Sequence, residues 1–272
     1  MGKLFMRKFK YLVQVVENRE VGKETYLFKM NLRNQKIKPK PGQFLEVVCS
    51  PATLLNRPFS IHFFYDDMKH IKILFRNVGK GTEFLSKLAV GDYIEFYGPF
   101  GNGFSLKKRD KKIAIVAGGI GFAPMNFLIK ELLKQERVTG IDTFYGNRSK
   151  DEFVEFWRLK NERLRFFIST DDGSFGEKGT VTSLFRKKLS LNSDKYDRVY
   201  TCGPVKMMKK VFDICSDLNI PAEGSFETRF GCGFGACLGC SIRLNTGEMK
   251  KICTDGPVFA LNYIDWSYFN DR

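Results

Sequence analysis

The stretch KKIAIVAGGIGFAPMNFLIKELLK (111–134) joins an apolar segment, a glycine-rich turn and an amphipathic segment. Small and β-branched apolar residues fill the first segment, which is typical of a strand buried on both faces. After the turn, apolar residues recur with helical spacing, and Pro124 suits the first helical turn because no backbone N–H is needed there. This strand, turn and helix predict an α/β domain with a parallel sheet.

Three later stretches repeat the strand-like pattern of short apolar and β-branched runs. They are GIDTFYG (140–146), RLRFFIST (163–170) and YDRVYTCG (196–203), and we expect a helix after each of them. Strands that alternate with helices form βαβ units. The pattern stops near Pro221, so we expect the α/β domain to cover residues 105–220.

The residues before this domain have a different pattern, in which short strands are separated by turns such as KPKPGQ and YDDMKH. The predicted strands are 11–16, 25–30, 44–49, 61–65, 71–75 and 93–97. So many short strands predict an antiparallel barrel or sandwich over residues 1–104. One short helix is predicted over 82–88, with Thr82 as its N-cap.

Two loops have the composition of anion-binding sites. In the glycine turn, Gly118, Gly119 and Gly121 let the backbone approach a phosphate, and the start of the next helix favours an anion. Its order is G-x-G-x-x-P, however, which departs from the dinucleotide-binding G-x-G-x-x-G, and a tight turn that binds nothing is the alternative. In the β domain, Arg57 and Arg76 offer two-pronged phosphate contacts, although a solvated Arg57 is the simpler interpretation.

Four of the seven cysteines, Cys232, Cys237, Cys240 and Cys253, have the spacing C-x4-C-x2-C-x12-C. Plant-type [2Fe–2S] sites use this x4-x2 run with a distant fourth thiolate. The glycines between the thiols allow a tight backbone that directs N–H groups at sulfur. Structural zinc and a redox C-x-x-C are the alternatives. We expect an iron–sulfur domain over residues 221–272.

The other cysteines and the two histidines belong to no metal-binding or catalytic motif. Cys49 and Cys215 occur in apolar segments and are expected in the core. Cys202 ends a predicted parallel strand, where ligands bind in such sheets, and is a candidate for contact with a nicotinamide. His62 and His70 have no evident carboxylate partner nearby in the sequence, and we interpret them as packing or surface residues.

The net charge of +15 over 272 residues raises the question of a nucleic-acid partner. The basic residues are spread along the chain, which favours a solvated basic surface or an acidic protein partner over a nucleic-acid site. No apolar run approaches the ~18 residues of a membrane span. No signal-peptide cleavage site follows the N-terminal segment. The clustered, odd-numbered cysteines indicate a reducing cytoplasm.

Taken together, these motifs resemble those of the ferredoxin–NAD(P) reductase family over nearly the whole chain. The flavin motif R-P-x-S of that family is similar to residues 57–60, its G-x-G-T to 79–82 and its G-P-x-G turn to 98–101. Its nicotinamide motifs are similar to GGIGFAP (118–124) and CGP (202–204). The resemblance implies that the barrel binds FAD and that the α/β domain binds NAD, with NADP less favoured.

The resemblance also implies the contacts. For FAD they are Arg57, Pro58, Phe59, Ser60, Leu74, Phe75, Arg76, Gly81 and Thr82. For the nicotinamide nucleotide they are Gly118, Gly119, Gly121, Pro124, Cys202, Gly203 and Pro204. Ser60 would lie near the flavin ring. Phe59 replaces the usual aliphatic residue and Phe230 stands where Met is usual, so we expect both to alter the packing around flavin or cluster.

The cysteine-rich end is similar to that of the electron-transfer subunits of type 1B dihydroorotate dehydrogenases. CGFGACLGC (232–240) and CTDGPVF (253–259) resemble their cluster motif, and STDDGSFGEKGTVTSLF (169–185) looks like a segment they share. This implies that Cys232, Cys237, Cys240 and Cys253 bind a [2Fe–2S] cluster. It implies electron flow from dihydroorotate, through the FMN of a separate catalytic subunit, the cluster and FAD, to NAD+ in pyrimidine biosynthesis. A heterotetramer with two copies of each subunit is implied.

A second group shares the TDDGS and DGP segments: the flavin subunits of NADH-dependent reduced ferredoxin:NADP oxidoreductase and of sulfide-dehydrogenase-type enzymes. They tend to have R-x-P-L-T at positions 57–60 and an aspartate in place of Cys232, and both departures favour the dihydroorotate group. A stand-alone reductase with a diffusing acidic acceptor, and a zinc-bearing nucleic-acid-binding protein, are alternatives from other classes. No residue set for oxidising dihydroorotate is evident, so we expect the isolated chain not to turn it over.

Overall fold

The first part of the molecule is a closed antiparallel barrel of six strands, as predicted. The computed structural model describes residues 10–33, 35–65, 67, 69–191 and 196–269. The barrel strands are β1 (Lys10–Gly22), β2 (Thr25–Asn31), β3 (Phe44–Val47), β4 (Arg57–Phe64), β5 (His70–Arg76) and β6 (Tyr93–Phe100). They pair in the order β1-β2-β5-β4-β3-β6, and β6 pairs with β1 to close the ring.

Alternating side chains fill the barrel. Val13 and Val15 on β1, Ile71 and Ile73 on β5, and Phe96 on β6 are fully buried. Successive residues of a strand point to opposite faces, so apolar residues two positions apart reach the same interior. This alternation is why the barrel could be predicted from the sequence.

The short helix α1 spans Lys80–Ser86, and the prediction that Thr82 is its N-cap is wrong. Gly79 occupies the N-cap, and Thr82 lies inside the first turn. The Thr82 hydroxyl accepts hydrogen bonds from the backbone N–H groups of Val78 (2.9 Å) and Gly79 (3.1 Å). Its oxygen therefore satisfies the loop before the helix instead of the helix itself.

The second part is a seven-stranded sheet with the order β10-β9-β8-β7-β11-β12-β15. Its strands are β7 (Lys112–Gly118), β8 (Gly140–Asn147), β9 (Leu164–Thr170), β10 (Glu177–Lys178), β11 (Arg198–Cys202), β12 (Ala222–Ser225) and β15 (Val258–Ala260). Every pairing is parallel except that of β12 with β15. The helices are α2 (Phe122–Leu133), α3 (Val181–Leu191) and α4 (Val205–Asp217).

The segment after β8 differs from the prediction, because residues 148–163, all of which the structure describes, contain no α-helix. Two short 3₁₀ turns, Lys150–Glu152 and Phe156–Arg158, take its place. Phe153 and Phe156 pack edge-on against Tyr145 of β8, with ring centroids 4.8 and 5.8 Å away. Aromatic side chains that dock separately onto the sheet replace the apolar stripe that a helix would have used.

The C-terminal part is not separate from the sheet. The parallel pattern continues beyond Pro221 by one strand, β12, and β15 returns beside it. Between them, β13 (Ser241–Arg243) and β14 (Met249–Lys251) form a small antiparallel hairpin. Phe44 and Phe100 of the barrel share one apolar core with Phe226 and residues of this hairpin.

A buried ionic network fixes the link between the barrel and the sheet. Arg198 of β11 donates to the carboxylates of Asp110 and Glu223, and all three side chains are nearly excluded from solvent. Glu223 of β12 also accepts from the backbone N–H of Ser105 at 2.9 Å. The link is thereby tied to two strands, because a buried charge must keep its partners.

Candidate functional site

The first candidate site is a cavity of about 570 Å³ at the carboxyl ends of the parallel strands. Strand β7 leads into the glycine turn (118–121), β11 ends at Cys202, and these strands are neighbours. The residues predicted to bind a nicotinamide nucleotide that line it are Gly118, Gly119, Gly121, Cys202, Gly203 and Pro204. Pro124 is buried in the first turn of α2 and is not part of this wall.

Close backbone contact explains the glycines of this turn. A Cβ at Gly121 would lie 2.3 Å from the carbonyl oxygen of Cys202 and 2.7 Å from the nitrogen of Gly203. A Cβ at Gly118 would lie 2.6 Å from Sδ of Met207. The glycine turn and the CGP loop are therefore packed together without side chains between them, which leaves backbone to face a ligand.

The second candidate site is a cavity of about 550 Å³ on the barrel, between β4, β5 and the start of α1. All residues predicted to contact FAD line it: Arg57, Pro58, Phe59, Ser60, Leu74, Phe75, Arg76, Gly81 and Thr82. The Arg57 guanidinium donates to the backbone carbonyls of Leu55 (2.9 Å) and Asn56 (3.2 Å). This anchors a cation in the cavity wall, where a phosphate can meet it.

Residues that sequence reasoning missed complete this flavin-sized cavity. They come from the barrel, from the end of β12 with the segment after it, and from the residue before β15: Phe44, Ser225, Phe226, Glu227, Thr228 and Pro257. The buried Nε of Arg76 and Oγ1 of Thr228 have no hydrogen-bond partner among the described residues. Buried polar atoms normally have partners, so the wall fits a ligand with polar groups, as FAD is. The Phe59 ring packs on Phe75, with centroids 5.6 Å apart.

The two cavities share part of their wall, namely Arg76, Ile120 and Glu227. The Glu227 side chain is accessible from these cavities. Most of its surroundings are protein, however, and this desolvation raises the pKa of its carboxyl. Burial also raises the pKa of the Cys202 thiol, and the nearby Glu227 charge raises it further. Cys202 is therefore a neutral thiol at the junction and not a nucleophilic thiolate.

The cysteine-rich loop contributes an aromatic ring to the wall of the flavin cavity. Phe230 lines the cavity and is two residues from Cys232. Its ring packs edge-on against Phe44 of β3, with centroids 5.1 Å apart, and Phe44 packs against Phe100. Phe230, which stands where Met was expected, thus places a rigid ring in the cavity wall two residues before a cluster cysteine.

The four clustered cysteines interact in two pairs. The Cys232 and Cys237 thiols interact with one another, as do those of Cys240 and Cys253, and a charge on Cys232 acts to raise the pKa of Cys253. Among the described residues, no group of three such side chains is placed to hold a single metal ion. Two pairs of thiols fit a binuclear cluster, in which each iron takes two protein ligands.

Backbone N–H groups point at the first of these sulfurs, as the glycine-rich sequence predicts. Ala236 and Cys237 donate to Sγ of Cys232 at 3.3 and 3.4 Å. Burial acts to raise the pKa of Cys232, but these hydrogen bonds outweigh it and lower the pKa to about 7. Thiolates are the form that binds iron, so Cys232 fits a cluster ligand, whereas burial and the neighbouring Cys240 thiol raise the pKa of Cys253 in the metal-free chain.

A buried carboxylate lies under the loop that carries the cysteines. Glu46 of β3 is 1% exposed, and its Oε1 has no hydrogen-bond partner among the described residues. A Cβ at Gly233 would lie 2.7 Å from this oxygen, and Gly233 has φ +73°. Burial, with Cys232 nearby, raises the pKa of Glu46 to about 7, against the opposing effect of Arg57. No sequence pattern indicated this residue.

The remaining predictions concern isolated side chains. Cys49 and Cys215 are buried in the core, as expected. His62 is buried against the start of α2, where Nδ1 lies 3.0 Å from the Ala123 carbonyl oxygen. His70 is at the surface, but the expectation that it lacks a carboxylate is wrong, because Asp67 lies 3.3 Å away. Neither histidine lines the two cavities described above.

Comparison with known proteins decides between the groups that the sequence resembles. Three family models match: an oxidoreductase FAD-binding domain (12–118), an oxidoreductase NAD-binding domain (115–213) and the iron–sulfur cluster binding domain of dihydroorotate dehydrogenase B (227–265). The electron transfer subunit of dihydroorotate dehydrogenase B (NAD(+)) from Clostridium acetobutylicum is 40% identical over 255 residues, covering 93% of this chain and 96% of that protein. The chain belongs to this family.

A second family member, from Desulforamulus reducens, is 38% identical over 231 residues, covering 83% of this chain and 87% of that protein. Among solved structures, an NADH-dependent reduced ferredoxin-NADP oxidoreductase aligns with a TM-score of 0.85 and 26% identity, covering 96% of this chain and 92% of that chain. The family's FAD-binding, NAD-binding and iron–sulfur domains confirm the three predicted cofactor classes. None of the helices in the described residues is long and apolar enough to cross a membrane.

Proposed function

We propose that this chain passes electrons from a separate FMN-containing dihydroorotate dehydrogenase subunit to NAD+, in pyrimidine biosynthesis. The observation that carries the proposal is the adjacency of three sites within one chain. The flavin cavity shares Arg76, Ile120 and Glu227 with the nicotinamide cavity, and it is bounded by Phe230 beside the cysteines. An iron–sulfur cluster transfers one electron at a time, whereas a nicotinamide takes two electrons as a hydride. A flavin can do both, so it is needed between the other two sites.

Each part of the chain has a role in this proposal. Cys232, Cys237, Cys240 and Cys253 hold a [2Fe–2S] cluster, which their spacing and pairing favour. Ser60 lies near the flavin ring and Arg57 near its phosphates.

The remaining assignments follow the two cavities. Arg76 also faces the flavin's phosphate or ribityl part, and Gly81 and Thr82 offer backbone N–H groups to the pyrophosphate. In the nicotinamide cavity, the glycine turn receives the dinucleotide phosphates, and Cys202 approaches the nicotinamide edge. The corresponding domains are 1–104, 105–220 and 221–272.

The proposed assembly is a heterotetramer with two copies of this chain and two of the catalytic subunit. The names of the relatives, which describe an electron transfer subunit, imply a catalytic partner. The cysteine usage favours a cytoplasmic location, since reduced thiols are needed for the cluster.

A second candidate function is suggested by the structural likeness to the NADH-dependent reduced ferredoxin-NADP oxidoreductase, with its TM-score of 0.85. In that case the partner would be a ferredoxin-linked subunit. Cys232 favours the first candidate, because the second group tends to have an aspartate at this position.

The test is affinity purification of the full chain from its native cytosol under anaerobic conditions. The first proposal expects a stoichiometric FMN protein, and dihydroorotate-dependent NAD+ reduction by the complex. The isolated chain should reduce dyes with NADH but not turn over dihydroorotate. Recovery of a ferredoxin-linked partner without dihydroorotate activity would favour the second candidate, and dihydroorotate oxidation by the isolated chain would contradict both.

A further inference from the structure

The strand next to the glycine turn ends in a pair of opposite charges. Arg148 directly follows β8, and its Nε and Nη2 lie 3.0 and 2.8 Å from Oε1 of Glu152. The other oxygen of Glu152, Oε2, lies 3.5 Å from Nη2 of Arg76. The Glu152 side chain is 10% exposed, whereas that of Arg148 is 73% exposed. One buried carboxylate thus binds two arginines from two different domains.

These residues face the nucleotide cavity. Arg76, Arg148 and Glu152 all line it, together with Asp171, which follows β9. In dinucleotide-binding sheets, the end of the strand next to the glycine turn is where the adenosine ribose is recognised. An acidic residue there binds the 2′-hydroxyl of NAD, whereas an arginine there accommodates the 2′-phosphate of NADP.

Arg148 stands at that position, and an arginine by itself would suit the second case, although the resemblance implies NAD. The structure gives Arg148 a carboxylate partner, so its charge is balanced before any nucleotide arrives. A 2′-phosphate at this end of the cavity would meet Glu152 and Asp171 as well as the paired arginine. Like charges at short distance are unfavourable, so these carboxylates select against the phosphate.

We propose that Glu152 determines the preference for NAD over NADP by holding Arg148 in an ion pair, where it cannot receive a 2′-phosphate. The proposal rests on the function proposed above, since it concerns the nucleotide of the same cavity. Glu152 acts on specificity through Arg148 and through its own charge. Replacing it with a neutral side chain of the same shape should release the arginine for the phosphate.

The experiment compares Glu152→Gln with the wild-type full chain, using NADH- and NADPH-dependent dye reduction. We expect the ratio of kcat/KM for NADH over that for NADPH to fall about tenfold, chiefly through a gain with NADPH. The double variant Glu152→Gln/Arg148→Ala should lose most of this gain, and what remains is the part that comes from the Glu152 charge itself. The matched control is Asp151→Asn, which removes a neighbouring carboxylate that lines neither the nicotinamide cavity nor the flavin cavity.

A binding measurement keeps the test independent of turnover. Calorimetry with 5′-AMP and adenosine 2′,5′-bisphosphate should show tighter binding of the bisphosphate in Glu152→Gln, and a much smaller gain in the double variant. An unchanged bisphosphate affinity, or a gain that is equally large without Arg148, would overturn the inference. Absence of any dinucleotide oxidation by the wild type would instead refute the proposed function. If the Gln variant does not fold, judged by circular dichroism, Arg148→Ala in the otherwise wild-type chain answers the same question, because an arginine already held by Glu152 can be removed without changing the affinity for the bisphosphate.

Discussion

The glycine turn (118–121) and the cluster loop (229–240) are both glycine-rich, yet the fold supports them differently. The glycine turn continues a strand with parallel neighbours on both sides, and the backbone of Cys202 lies directly against it. Over 226–240 the chain has no helix or strand. Cys237 in this loop is exposed, and two N–H groups of the loop point at a sulfur.

The difference shows which site is formed by the polypeptide and which is completed by its cofactor. In the glycine turn, hydrogen-bonded strands and backbone packing hold the geometry before a nucleotide binds. In the cluster loop, the thiols and N–H groups converge on a place where metal ions would sit. Metal binding there would contribute to local folding, because such loops lack other sources of order.

The largest expected effect comes from removing Cys253, a buried cysteine in the turn that follows β14. In Cys253→Ser, we expect complete loss of the cluster, because iron–sulfur centres require soft thiolate ligands. NADH-dependent dye reduction should remain, since the two cavities do not include Cys253. Iron analysis, visible absorption and limited proteolysis near 229–240 measure the outcome.

Cys215→Ser is the matched control for this change. Cys215 is buried on α4, away from the cluster loop, so its replacement should leave the iron content intact. A stoichiometric cluster in Cys253→Ser, or equal iron loss in both variants, would show that the cluster loop does not depend on this thiol.

A smaller effect is expected within the glycine turn, where two neighbouring glycines differ. Gly121→Ala would force a Cβ to 2.3 Å from a backbone oxygen, and overpacking of this kind costs about 3 kcal/mol. Gly119→Ala meets no atom closer than 3.9 Å, and its φ of +56° costs an L-residue about 1 kcal/mol. Urea unfolding and the KM for NADH of both variants measure the difference. Equal destabilisation would mean that backbone packing does not hold the turn.

The same comparison explains what the sequence could predict. Short-range patterns were sufficient for the barrel, the glycine turn and the cysteine spacing, because each depends on periodicity or on residues close in the chain. The helix expected after β8 was wrong because Phe153 and Phe156 dock on Tyr145, a contact that periodicity does not encode. The N-cap of α1 was wrong because the Thr82 hydroxyl bonds backward to the loop.

Residues that act across domains could not be predicted at all. Glu46 lies on a barrel strand but packs under Gly233, which is distant in the chain. Glu152 meets Arg76 only because β5 and the end of β8 approach each other in the folded protein. The roles of Glu46 and Glu152 depend on how deeply they are buried and on charged residues of other elements. A local sequence motif shows neither of these.

The smallest expected effect is on how the free energy of unfolding depends on pH, and it concerns His62, which contacts the helix that follows the glycine turn. His62 contacts the Ala123 carbonyl in the first turn of α2. Burial lowers the pKa of His62 to about 4, although this hydrogen bond acts in the opposite direction. An unfolded histidine has a pKa near 6.5, so below that pH the unfolded chain binds a proton that the native chain does not.

The native state should therefore lose stability as the pH falls, by about 2 kcal/mol between pH 7.5 and pH 5. His62→Gln removes the titrating group, and its unfolding free energy should be flatter over this range by that amount. His70→Gln is the matched control, because His70 is at the surface beside Asp67. Parallel pH profiles for the wild type and His62→Gln would show that this buried imidazole does not stabilise the contact between the barrel and α2. The glycine turn would then depend only on its contacts with the neighbouring strands of the sheet.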